Sequence, residues 1–275
     1  MENKKNPEIF FHAGLERTGT TFLQRAVFPK LKNIHYIPKN QYDKKDKIIS
    51  NTSYSKYLLS HESKVIQEEL KKFAAKYPHA KIILVFRRHD KWIASHYKRQ
   101  IKNGYAKSFK EFIDIDDNTG LWKKEELYFL PKIKFIENCF KRPPIILFHD
   151  ELKSSPEDFV RKILEITGVE DHEPIPFKAK HTSYTDKELK VRRRINQIPL
   201  LKTIEVNKHK KFRTAKKLYN KTIRYPTLHL GRVIPESFLS AEPLIPKEEL
   251  EKIREFYEKD WENIKAYARK NNPVT

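Results

Sequence analysis

The sequence predicts an α/β protein in three layers, a central and mainly parallel sheet flanked by helices, with a helical region toward its C-terminal end. Two observations carry this. Short apolar runs alternate with segments of helical period, the order expected of strands joined by helical crossovers. The runs are also nearly continuous instead of alternating, as strands covered on both faces are.

The first strand is IFF at Ile9 to Phe11, and a weaker candidate is IHYI at Ile34 to Ile37. A helix-period segment from Glu62 to Tyr77 leads to IILVF at Ile82 to Phe86. Lys91 to Lys102 is the next helix, with Asp90 placed to cap it and Trp92, Ser95 and Arg99 on one face. Trp122 to Cys139 is read as another, before the strand IILF at Ile145 to Phe148. The clearest helix begins at SSPEDF: Ser155 is its cap, Pro156 its first residue, Glu157 and Asp158 lie in the electropositive first turn, and Gly168 stops it. Beyond Gly168, Lys178 to Arg224 is dense in lysine and arginine with no strand-like run, and Lys247 to Lys270 reads as one amphipathic helix. The organisation is a single domain over residues 1–275, with a core over about 7–170 and a basic helical extension over about 178–275.

Composition sets bounds on function. With 38% hydrophobic and 12% aromatic residues the chain buries a real core. No apolar run approaches the roughly 18 to 20 residues a membrane span needs, and MENKKNPEIFFHAG passes from charge straight into a strand, so neither a span nor a signal peptide is expected. Cys139 is the only cysteine, which excludes an intramolecular disulfide and a cysteine-based metal cluster and fits a reducing cytoplasm. Against 36 acidic residues stand 57 lysines and arginines, a formal charge of +21 that favours anionic partners.

The strongest local signal is GLERTGTT from Gly14 to Thr21, between the first strand and a helix. Its spacing is close to that of a nucleotide-binding P-loop. Glycines let the backbone turn tightly and aim successive N–H groups inward, the helix start adds its positive end, and both favour a phosphate. An ordinary P-loop has lysine after its second glycine. Here Thr20 stands there, and the loop's one cation is Arg17. A second cluster follows IILVF: Arg87 sits at the strand's carboxyl end, where ligands of open parallel sheets bind, so it and the loop approach one anionic ligand from two sides.

At these residues the chain resembles the sulfotransferases that use 3′-phosphoadenosine 5′-phosphosulfate. Their 5′-phosphosulfate loop has the form [KR]-[ST]-G-[ST]-[ST], matched by RTGTT from Arg17 to Thr21, and their 3′-phosphate site is an arginine followed eight positions later by serine, matched by Arg87 and Ser95. The resemblance continues through HAGLERTGTTFLQ, RRHDKWIASHYKRQIKNG and ILFHDELKSSPEDFVRKILEITGV, from His12 to Val169 in the family's order. It departs in having Arg17 where lysine is usual, and His149, followed by Asp150, where an acidic residue is common.

The resemblance implies a P-loop-like fold and sulfuryl transfer to a hydroxyl or amine, with 3′,5′-adenosine bisphosphate as product and no metal. Arg17 would neutralise the leaving phosphate and be the catalytic residue. Thr18, Gly19, Thr20 and Thr21 would hold the 5′-phosphate, and Arg87 and Ser95 the 3′-phosphate. A histidine or carboxylate must act as general base, and Glu16, His12, His35, Asp43, His61 and Glu62 are all candidates. The implied acceptor is a carbohydrate or lipid-linked glycan, with a small molecule second, and the basic surface suits peripheral contact with an anionic membrane. The stretch with Lys178, Lys180, Lys187, Lys190 and Arg192 to Arg194 either closes over the nucleotide, meets an acidic acceptor, or is a solvated helix face. Trp92, Trp122 and Trp261 fall at helix-period positions and are assigned to packing.

Two other classes compete. A P-loop kinase or NTPase requires lysine after Gly19 and an aspartate closing an apolar strand; the first is missing and Asp150 stands near the second. A basic nucleic-acid-binding protein accounts for the charge but leaves the loop and the Arg87 to Ser95 spacing unexplained, and no nucleic-acid partner is expected.

Overall fold

The first apolar run forms β1 (Glu8–Ala13), buried from Ile9 onward. In the computed structural model, which describes residues 6–61, 66–177, 184–198, 222, 225–239 and 241–272, β1 is the centre of a five-stranded sheet. Its other members are β2 (His35–Ile37), β3 (Lys56–His61), β4 (Lys81–Phe86) and β5 (Ile145–Phe148), in the order β2-β3-β1-β4-β5. Every pairing is parallel, so the predicted fold class is the observed one. From β1 the chain steps to β2 and β3 on one side, then crosses back to β4 and out to β5. The order reverses at β1, and the crevice outside the carboxyl ends of β1 and β4 is the topological switch point, where open parallel sheets bind ligands.

Among the described residues the helices, in chain order, are α1 (Thr20–Phe22), α2 (Lys45–Asn51), α3 (Ile66–Lys76), α4 (His89–Lys102), α5 (Phe109–Phe112), α6 (Leu130–Phe140), α7 (His149–Ser154), α8 (Pro156–Thr167) and α9 (Asp186–Asn196). Three more span Tyr225–Val233, Lys247–Phe256 and Glu258–Asn271. The chain divides into two compact units, one of residues 1–88, 128–178 and 258–275, the other of residues 89–127 and 179–257.

The first unit contains the sheet. On one face Phe10, Leu58, Ile83, Val85, Ile145 and Leu147 pack against Leu23, Val27 and Phe28, which follow the glycine loop, and against Phe159, Val160 and Ile163 of α8. On the other, Phe11 meets Phe73 of α3 with ring centroids 4.6 Å apart and Tyr42 at 5.6 Å. Each such side chain, fully buried, contributes roughly 1.5–3 kcal/mol, and cover on both faces is why these strands carry no polar alternation. The outer edge of β5 is closed by Asn272, which accepts from the Ile146 N–H (2.9 Å) and donates to the Ile146 carbonyl (2.7 Å), standing in for a neighbouring strand. Asp260, also buried, accepts from the Phe129 and Leu130 N–H groups at 2.8 and 3.2 Å and so caps α6. Gly168 ends α8 in the left-handed region at φ 58°.

The second unit is built of helices, with α4 packed on α9 and on the helix Lys247–Phe256. Arg192 of α9 is fully buried and donates to the Thr227 hydroxyl at 2.7 Å. Arg193 donates to the Tyr97 hydroxyl at 3.0 Å and Arg194 to the Phe238 carbonyl.

Five sequence expectations need correction. Asp90 does not cap α4, because the helix begins one residue earlier at His89 and Asp90 lies inside its first turn. KYLLSH forms β3, a strand the apolar pattern did not reveal. Trp122 to Cys139 is not one helix: Lys124–Leu127 is a 3-10 turn and α6 starts at Leu130, because Pro131 has no N–H to give and is tolerated only in a first turn. Lys247 to Lys270 breaks at Tyr257, which leaves helical geometry (φ −100°, ψ 7°), is buried, and donates its hydroxyl to the Lys124 carbonyl at 2.7 Å. Ser155 occupies the cap position of α8, but its hydroxyl donates to the Asp158 carboxylate at 2.6 Å instead of accepting from the backbone.

Candidate functional site

The chain leaves β1 through Gly14, whose N–H donates to the carbonyls of His12 (3.1 Å) and His61 (3.0 Å). Arg17 and Gly19 then adopt left-handed backbone, φ 70° and 89°. For Gly19 this costs little, but for arginine it costs roughly 1–2 kcal/mol, strain of the kind kept at functional sites. Left-handed residues in a tight loop turn successive N–H groups toward one point, the concavity that takes anions. A second feature favours glycine at 19: a β-carbon there would lie 2.4 Å from Leu152 Cδ2, so that side chain would have to shift.

Helix α1 starts at once, with Phe22 and Leu23 N–H donating to the Gly19 carbonyl at 2.9 and 3.3 Å and no side chain capping it. The helix continues as a π turn over Leu23–Val27 and a 3-10 turn over Phe28–Lys30. The N–H groups of Thr20 and Thr21, in its first turn, have no intrahelical acceptor. The hydroxyls of Thr18 and Thr20 point elsewhere: both are buried and donate to the Leu15 carbonyl, at 2.8 and 3.0 Å. They brace the loop, which leaves backbone donors and the exposed Thr21 hydroxyl for a ligand.

Arg87 follows the last residue of β4, and its Nη1 lies 3.4 Å from the Arg17 carbonyl. Two guanidinium-bearing residues therefore meet at the switch point, one in the loop and one at the neighbouring strand's end. Ser95, half of the predicted 3′-phosphate pair, lies on α4 in the second unit and is buried there.

The base candidates separate by position. His35 opens β2, paired with Tyr57 and stacked on Tyr54 at 4.5 Å, toward the amino ends of the strands. His12 is wholly buried, with Nδ1 2.8 Å from the Ser60 hydroxyl, and burial pushes its pKa down to about 3. It is a neutral core residue. His61 ends β3 beside Ala13, and its carbonyl receives the Gly14 N–H. Its ring lies flat on Tyr42, centroids 4.2 Å apart and planes within 11°. Burial, then Lys39, hold the imidazole below its ordinary pKa, against the pull of Glu69 and Asp43. Asp43 is exposed nearby, Glu16 is half-buried in the loop, and Glu62 lies outside the described residues.

Of the basic stretch, Lys178 and Lys180, with most of 199–224, lie outside the described residues. Within the second unit Arg192 is buried, Arg193 half-buried and Arg194 exposed, and each donates a hydrogen bond as described. The tryptophans pack as read: Trp92 against Trp122 at 5.5 Å, and Trp261 against Phe148 at 5.2 Å. Strand β5 ends at Phe148 and Asp150 lies in the first turn of α7, so no aspartate closes that strand. Sequence reading missed Ser60 and Gln24, which hydrogen-bond at 2.9 Å beside the loop. Their signal was the polar pair Ser60–His61 ending an apolar run.

No protein-family model and no curated protein matches the chain. Among solved structures it is similar to a sulfotransferase from Alicyclobacillus acidocaldarius, at a TM-score of 0.50 and 16% identity over 70% of this chain and 96% of that one. A second similar structure is mouse sulfotransferase SULT7A1 complexed with PAP, at a TM-score of 0.35 and 16% identity over 62% of this chain and 61% of that one. At such identity the first of these establishes architecture: the chain has the mainly parallel, helix-flanked α/β fold of the Alicyclobacillus sulfotransferase.

Proposed function

We propose that this chain is a sulfotransferase that moves the sulfuryl group of 3′-phosphoadenosine 5′-phosphosulfate to a hydroxyl or amine of an acceptor. The observation that carries the reading is the meeting of the strained Arg17–Gly19 loop with Arg87 at the switch point, in a sequence where RTGTT and the Arg87 to Ser95 spacing match the family's two phosphate motifs.

The residues present fit such a donor. Its chemistry is an activated sulfuryl group on a phosphate leaving group, and in-line alignment with charge neutralisation is most of what a protein must supply. The N–H groups of the loop and of Thr20 and Thr21 hold the 5′-phosphate. Arg17 spreads positive charge over the bridging oxygen. An arginine cannot donate a proton at any working pH, but a phosphate whose second pKa is about 6 leaves as the dianion near neutrality without one. Arg87, with Ser95 by the sequence motif, takes the 3′-phosphate.

His61 is the general base. It stands at the carboxyl end of β3, next to the loop's first residue, and burial keeps its imidazole neutral and able to accept a proton near pH 7. The acceptor is a carbohydrate or lipid-linked glycan. Lys39 and the Lys45 ammonium, 4.3 Å from the Tyr42 ring on which His61 stacks, add positive charge on the acceptor side, in keeping with the net charge of +21.

Calorimetric titration with 3′,5′-adenosine bisphosphate against ADP tests the donor site. The bisphosphate should bind at least about 10-fold more tightly, and Arg17→Ala and Arg87→Ala should each cost about 10- to 100-fold, the worth of one charge-assisted contact. Equal affinity for both nucleotides removes the 3′-phosphate site and the reading with it.

A further inference from the structure

Directly under the phosphate loop, in the first unit, a polar network crosses an otherwise apolar layer. His12 and Ser60 stand opposite each other on β1 and β3, with His12 Nδ1 2.8 Å from Ser60 Oγ. Gln24, in the π turn that continues the loop's helix, donates from Nε2 to the same Oγ at 2.9 Å. The edge of the Phe28 ring closes against the imidazole at 5.3 Å, and Phe10, Leu23 and Leu58 belong to the surrounding core.

With Gln24 Nε2 as the donor to Ser60 Oγ, counting protons fixes the direction of the remaining bond. Ser60 Oγ already accepts from Gln24 and has one hydrogen to give. If it donates to His12 Nδ1, the imidazole carries its proton on Nε2, and that buried N–H is the single orphan. If Nδ1 carries the proton, both the Ser60 hydrogen and the Nε2 lone pair lack a partner in the network. Each orphan costs about 1–3 kcal/mol, so the chain runs from Gln24 to Ser60 to His12.

We infer that Ser60, fixed from both sides by His12 and Gln24, is a positioning residue that sets His61 against the phosphate loop. The inference rests on the sulfotransferase reading above. His12 lies two residues before Gly14, where the loop begins; Gln24 lies on the helix where it ends; and Ser60 precedes His61, whose carbonyl holds the Gly14 N–H. One hydroxyl thus gathers the loop's entry, its exit and the base. Stability alone does not call for it, because replacing a buried polar network by apolar side chains of similar shape is commonly neutral or better. Geometry does call for it, since a displacement of about 1 Å at a reacting group costs on the order of 100-fold in rate.

The test compares Ser60→Ala, Ser60→Thr and Gln24→Met with the unmutated chain in sulfuryl transfer, bisphosphate binding and thermal unfolding, with nitrogen-15 NMR of His12 alongside. Ser60→Ala should lower kcat about 10- to 100-fold and leave the bisphosphate Kd within about threefold, since the loop donors and both arginines are intact. Ser60→Thr keeps the hydroxyl and should restore kcat to within about threefold. Should Ser60→Ala fail to fold, Gln24→Met carries the test, with kcat down about three- to tenfold at unchanged Kd. Unaltered kcat in Ser60→Ala, loss of kcat and nucleotide affinity in parallel, or an Nδ1-protonated His12 overturns the positioning role. Bisphosphate binding with no transfer by the unmutated chain is a different failure, that of the sulfotransferase reading, and the His12 tautomer then still judges the network.

Discussion

Gly19→Ala separates two costs that coincide at one atom. The first is torsional: φ 89° is a left-handed conformation that an L side chain adopts at a cost of roughly 1–2 kcal/mol. The second is steric: the new methyl would stand 2.4 Å from Leu152 Cδ2, well inside contact distance, and forced overpacking of a core costs typically about 1–3 kcal/mol. Together they predict a loss of about 2–5 kcal/mol. Leu152→Ala alone should cost about 2–5 kcal/mol, since that side chain is buried in the core beside α8. In the double variant the clash is gone and only the torsional cost persists, so the two changes should be less than additive by about 1–3 kcal/mol. Urea denaturation of the four proteins gives the cycle, and bisphosphate titration of the same set reports the loop. Coupling below about 0.5 kcal/mol, the level seen for independent sites, would refute the reasoning that Gly19 is dictated by contact with Leu152.

Other predictions follow from the same geometry. Asp260→Ala strips the buried cap from the Phe129 and Leu130 N–H groups and should cost about 1–3 kcal/mol in chemical denaturation, with Asp260→Asn, which keeps one carbonyl oxygen, closer to the lower figure. His12 is neutral in the fold down to a pKa of about 3, whereas in the unfolded chain it protonates near 6.5. Stability is therefore fully present above pH 6.5 and falls as pH drops toward 3, by up to about 1.4 kcal/mol per pH unit. His12→Gln should flatten the stability-versus-pH curve by about one proton between those limits, and an unchanged slope would place His12 outside the titration. In the role proposed for it, Arg17 supplies charge and not a proton, so Arg17→Lys should retain transfer to within about 10-fold while Arg17→Ala loses about 100-fold or more; a lysine variant as dead as the alanine one contradicts that role.

The fold class was legible because its signal is redundant. IFF, IILVF and IILF are each buried on both faces in β1, β4 and β5, and a parallel strand in that position has no polar face to dilute the pattern. The turn between β1 and α1 was legible for a different reason: Gly19 is the residue that left-handed backbone packed against Leu152 permits. What lay beyond sequence reading were the breaks within helices. Tyr257 interrupts what periodicity reads as continuous because its hydroxyl is tied to Lys124, 133 positions away, a constraint that no local window contains. The partners of Arg192 and Arg193 lay beyond it for the same reason, since Thr227 and Tyr97 are distant in sequence.

β3 is the instructive failure. KYLLSH has only three apolar residues, and its last two, Ser60 and His61, are polar where a buried strand should be hydrophobic. Ser60 is nevertheless wholly buried and hydrogen-bonded on two sides, and His61 is half-buried against Tyr42. Had these positions been valine or isoleucine the strand would have been evident, and the end of the sheet beside the loop would carry neither an imidazole nor a hydroxyl. The pattern that hid the strand is thus the pattern that equips it. In a sheet covered on both faces, a polar residue at the carboxyl end of a strand is costly to bury, and it is retained where fixed geometry is needed. On this argument polar substitutions at Leu58 or Leu59, earlier in the same strand, should unfold the protein, whereas apolar substitution of Ser60 should leave it folded and slow.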